Sequence, residues 1–149
     1  MTLTQVGIVE WARRAQGAVV VHRSVADALG RCVAGAGIGA RYDLLDRARR
    51  HGWCADEWTT VVPVLHDADT AAQVPLDPAV EHALAELGRD PEGAVVLEAE
   101  SAVVVQLRLL YGTWRDTATP VADAPYVHVV DRVVRELAAG TGLVRGLPE

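Results

Sequence analysis

The sequence predicts an all-α protein, a single-domain helical bundle of about five to six helices spanning residues 1–149. Three observations carry that expectation. Residues 4–34 separate apolar from charged side chains at helical spacing. Asp77-Pro78 and Asp90-Pro91 are helix-start pairs, since Asp caps free amides and Pro at the first helical position loses no bond. The oily run "EGAVVLEAESAVVVQLRLL" (92–110) offers no Gly or Asn where a hairpin would turn.

Taken in order, the first helix places Ile8, Trp11, Ala15, Ala18, Val19, Val25, Ala26, Leu29 and Val33 on one face. Glu10, Arg13, Arg14, Arg23, Ser24, Asp27 and Arg31 share the other, where Val20 and Val21 are apolar exceptions. Gly17 is its weak point, and "AVVVH" competes there as a strand. "GAGIG" reads as a linker, "ARYDLLDRARRHG" as a short helix ending at Gly52, and "ADEWTTVVPVL" as a helical stretch interrupted by Pro63. After the polar loop "HDADTAAQVPLD" comes a helix capped by Asp77 and stopped by Gly88. Residues 91–113 then form a helix apolar around its whole circumference, hence central and mostly buried. The alternative is an α+β fold with a β-hairpin near 94–111, which the Val runs favour locally. The last helix, 125–139, turns Val127, Val130, Val134 and Leu137 inward and ends at Gly140.

Composition excludes more than it identifies. All 14 basic residues are Arg, and the chain contains no Lys, Asn or Phe, a usage that GC-rich bacterial coding sequences produce. Lacking Lys, the chain has neither a Schiff-base lysine nor a Walker-type phosphate loop. A net charge of −6 without a basic cluster argues against a nucleic-acid partner. No apolar run reaches the roughly 18–20 residues of a membrane helix, and the N-terminus lacks signal-peptide character. Cys32 and Cys54 are spaced for neither zinc nor a disulfide framework. A cytoplasmic protein without membrane attachment is expected.

Familiar motifs are incomplete. "GAGIGA" (35–40) matches a dinucleotide fingerprint in letters but follows a helix instead of a strand, so it reads as a connection. Glu-x-x-His and H-E-x-x-H are absent, and neither His66/Asp69 nor His128/Asp131 makes more than half a site. Neither a metal nor a cofactor is expected. Ser24 and Ser101 lack a nucleophile-elbow setting, and Cys54 beside Trp53 and His51 is a weak candidate thiol.

One constellation remains. His22 lies mid-face on the first helix and Glu98 in an apolar stripe of the 91–113 helix, each among small residues. A buried carboxylate needs a partner, and an imidazole is a reasonable one. The pair is read as a structural hydrogen bond or as an acid and base, with Trp11, Gln106, Tyr111 and Trp114 as candidate ligand contacts.

Two functions stand on this reading. The first is an interaction or regulatory module, a homodimer or the partner of another protein, using the Val20/Val21 face. The second is a binder of a small apolar ligand, or a small isomerase, cyclase or lyase run by His22 and Glu98. Whether the protein is an enzyme stays open at this level.

Overall fold

A computed structural model describes residues 7–62, 77–89 and 94–140. They form five helices: α1 (Ile8–Cys32), α2 (Ile38–Thr59), α3 (Pro78–Leu87), α4 (Ala94–Asp116) and α5 (Ala124–Ala139). Among the described residues there is no strand, so "AVVVH" is helical and the run to Leu110 is one helix instead of a hairpin. No described helix is long and apolar enough to cross a membrane.

α1 and α2 pack on each other as a helical hairpin, closed by residues 33–37. Arg41 braces this connection by donating Nε–H to the Ala36 carbonyl at 2.8 Å. α3 lies on α4, and α5 closes the bundle against α2 and α4. The buried face of α1 carries Trp11, Ala15, Ala18, Val25 and Leu29 as expected. Ile8 is exposed, however, and Val21 is buried while Val20 faces solvent. The expected Val20/Val21 contact face is therefore divided between core and surface.

α2 corrects the expected break at Gly52. A mid-helix Gly costs about 1 kcal/mol. The helix continues because Leu44, His51, Cys54, Ala55 and Trp58 bury one stripe on both sides of it. α3 begins as the sequence implies, with Asp77 Oδ1 accepting from the Ala79 and Val80 amides. The Asp90-Pro91 cap, Pro63, and the 66–76 loop with His66/Asp69 lie outside the described residues.

α4 differs from expectation in a way that matters for the site. It is not buried all round. Val96, Glu100, Val103, Leu107 and Tyr111 form its inner stripe at i, i+4, i+3, i+4, i+4 spacing. Val95, Glu98, Ala102, Val105 and Leu109 form an exposed outer one. On α5, Tyr126, Val129, Val130, Val133 and Leu137 are buried, while Val127 and Val134 are only half-buried, a rotation of about one residue.

Candidate functional site: a buried hydrogen-bond chain between two clefts

The sequence pairs His22 with Glu98, and the structure does not. Glu98 is exposed on the outer stripe of α4. The carboxylate that α4 buries is Glu100, two residues on and therefore about 200° around the helix. Its partner is His51 of α2, which in turn meets His22 of α1.

Four side chains from three helices form one continuous path. Tyr111 Oη lies 2.8 Å from His22 Nε2, and His22 Nδ1 lies 2.9 Å from His51 Nδ1. His51 Nε2 lies 3.0 Å from Glu100 Oε1. Arg47, one turn before His51 on α2, donates from Nη1 to Glu100 Oε2 and from Nε to Asp43 at 3.1 Å. Both histidines are fully buried and Glu100 nearly so. Tyr111 and Glu100 stand eleven residues apart on the same α4 stripe, so the path runs about 16 Å along the helix axis.

With both rings neutral, one arrangement of protons satisfies the whole path. A carboxylate only accepts, so His51 donates Nε2–H to Glu100. In that arrangement His51 Nδ1 accepts, and His22 donates Nδ1–H to it. His22 Nε2 then accepts the Tyr111 hydroxyl. Every donor meets an acceptor, as buried polar groups require.

The electrostatics of the path follow from burial and from its charged neighbours. Burial works against ionised Glu100, but the hydrogen bonds and charges of His51 and Arg47 outweigh it and hold its pKa below the usual carboxylate range. Burial, then the neighbouring His51, pushes the His22 pKa well down, which favours the neutral ring. Burial pushes the Tyr111 phenol well up, so it stays a hydroxyl. The Cys54 thiol is pushed up to about 12 by burial, which removes it as a nucleophile at ordinary pH.

The residue at each end of the path lines a cleft, Tyr111 doing so while itself fully buried. At the Tyr111 end is a cavity of about 300 Å³ between α1, α3 and α4. Gly17, Ala18, Val21, Val80, Leu107 and Trp114 give it apolar walls, and Glu10, Arg13, Arg14 and Asp77 also line it. At the Glu100 end is a second cleft of about 240 Å³, where Arg47, Arg50 and Arg108 gather.

Of the expected ligand contacts, Tyr111 and Trp114 line the first cavity. Trp11 stands behind it, stacked on Tyr126 at 4.8 Å between centroids and edge-on to Trp114 at 6.3 Å. Gln106 lines neither cleft. His128 is exposed, and Asp131 pairs with Arg115 at 2.7 Å. Residues 31–32, ahead of "GAGIGA", are helical, so the strand a dinucleotide fingerprint needs is not there. Among the described residues, no group of three His, Cys, Asp or Glu could hold a metal ion. Comparison with known proteins found no matching family model, no matching curated protein and no matching solved structure.

Proposed function

We propose that the protein binds a small, largely apolar molecule in the cavity between α1, α3 and α4 and carries out an acid/base step on it. The observation behind this reading is that Tyr111 belongs both to the cavity lining and to the buried chain. A structural hydrogen bond needs two groups. Here a chain of four, ending in an ionised carboxylate, leads away from a cavity at the lower end of the about 300–1,000 Å³ range of small-molecule sites.

The chain is ordered to withdraw a proton. As the Tyr111 oxygen accepts a proton from the bound molecule, its own hydroxyl proton passes to His22 Nε2. His22 passes Nδ1–H to His51 Nδ1, and His51 passes Nε2–H to Glu100 Oε1. The bound molecule gains one negative charge, Glu100 becomes a neutral carboxyl, and net charge is conserved. Because Tyr111 gains and loses a proton together, no phenolate accumulates. The reverse sequence returns the proton to another atom, which is an isomerisation, or acts after a leaving group departs, which is an elimination.

Native mass spectrometry of the purified chain, followed by release of any bound small molecule, tests this reading. Returned to protein in D₂O, that molecule is expected to gain deuterium with the wild type and not with Tyr111→Phe. Equal exchange in both, or a wild type that carries and binds nothing, would refute it.

A second reading, homodimerisation, is favoured by the outer stripe of α4. Val95, Ala102, Val105 and Leu109 follow a 3–4 spacing shared with Glu98 and are all exposed. Antiparallel self-pairing about Ala102 would set Val95 of one copy against Leu109 of the other. Light scattering of wild type and Val105→Glu/Leu109→Glu decides it: a dimer that becomes a monomer supports this reading, and a wild-type monomer rejects it.

A further inference from the structure

The cavity holds one feature that proton transfer does not use. Arg14 of α1 lines it, yet its guanidinium is largely withdrawn from solvent, with the side chain 18 % exposed. It lies over the Trp11 ring at 5.1 Å and the Trp114 ring at 5.5 Å. Two aromatic faces hold the planar group and fix its orientation. Its Nε stands 3.5 Å from Glu10, a half-exposed pair of little strength. Its Nη1 is buried and has no hydrogen-bond partner among the described residues. Trp11 Nε1, in the same aromatic cluster, is also without one.

A buried cationic donor left unpartnered is costly, and such groups in folded proteins generally meet an acceptor. The missing acceptor must sit in or beside a mostly apolar cavity and match a fixed, planar, charged donor. A carboxylate meets both conditions, because guanidinium and carboxylate are coplanar partners. Arg13 adds a second cation on the cavity lining and makes no ion pair among the described residues. Of the two acidic lining groups, Glu10 faces Arg14 and Asp77 Oδ1 is engaged in capping α3.

We infer that the natural ligand is a small monocarboxylic acid with an apolar body, its carboxylate held by Arg14 and its body against Val21, Leu107 and Trp114. This rests on the proposed use of the cavity and deepens it. The carboxylate fixes one end of the molecule, so the carbon or oxygen that gives up a proton is presented towards Tyr111.

The experiment uses the full chain with 3-phenylpropionate and its uncharged near-isostere 3-phenylpropionamide, read by calorimetry and by tryptophan fluorescence, which Trp114 reports. Wild type is expected to prefer the acid by about tenfold or more. Arg14→Gln should bind both alike. Because Arg14→Gln also removes a stacked group, Glu10→Gln provides a second check: freeing Arg14 of its ion pair should tighten the acid and leave the amide unchanged. Equal binding of acid and amide by wild type would overturn the carboxylate inference while the cavity reading stands. No binding of either would overturn both.

Discussion

His22 and His51 meet Nδ1 to Nδ1 at 2.9 Å inside the bundle. Such a contact is a hydrogen bond only when one ring donates and the other accepts. With both rings neutral, Glu100 takes the proton on His51 Nε2, His51 Nδ1 accepts from His22, and His22 Nε2 is left to accept the Tyr111 hydroxyl. The tautomers of two buried rings are thus set by groups on α4, three helical turns apart.

Removing the middle of this chain should cost more than removing its end. His51→Leu leaves Glu100 with Arg47 alone and His22 Nδ1 without a partner, and is expected to lose about 3–5 kcal/mol in urea unfolding. Tyr111→Phe leaves only His22 Nε2 unpaired and should lose about 1–3 kcal/mol. The double variant should lose less than the sum, because both act on one network. Strict additivity would mean that the contacts are not one chain.

Acid should weaken the fold in two stages. In the unfolded chain His22 takes a proton below about pH 6.5, whereas the folded ring stays neutral to lower pH. The unfolded state therefore binds more protons in that window, so stability is intact above about pH 6.5 and falls as pH drops through it. Glu100 has the same sign further down. Its unfolded carboxyl protonates in the ordinary range and its folded one below it, so stability falls again there. Urea midpoints across pH should show both stages, with His22→Leu flattening the first. Arg47→Gln, which removes a cation beside Glu100, should shrink the second stage by raising its lower end towards the ordinary carboxylate range.

The two cysteines should separate in reactivity. Cys54 is buried and its thiol is pushed up to about 12, so iodoacetamide at pH 8 should leave it unlabelled in the folded protein and label it in urea. Peptide mapping that finds Cys54 modified under native conditions would contradict its placement.

The helices were legible where local chemistry and burial agree. Asp77 caps and Gly88 closes α3 as their residue types imply, and the faces of α1 follow the helical period over most of its length. Gly52 misleads because its local cost is small beside the packing of a stripe that runs through it. The site was half legible. His22 stands out as a polar residue on an apolar face, but on α4 apolar residues surround the helix, so either Glu98 or Glu100 can be assigned inward. One signal does separate them: the spacing Val96, Val103, Leu107, Tyr111 passes through 100 and misses 98. His51 carries a comparable mark, seven residues after Leu44 and seven before Trp58, all buried. That His51 reaches both His22 and Glu100 depends on how α1, α2 and α4 meet, which no single helix encodes.

His22, His51 and Glu100 form a hydrogen-bond chain that ends at Tyr111. Nitrogen-15 NMR of the histidine rings, in wild type and Tyr111→Phe across mildly acidic pH, tests it most directly. His22 is expected as the Nδ1–H tautomer, neutral well below pH 6.5, with a proton on His51 Nε2 and the His22 Nε2 signal moving in Tyr111→Phe. A His22 ring that takes up its proton near pH 6.5, or that carries its neutral-state proton on Nε2, would contradict it.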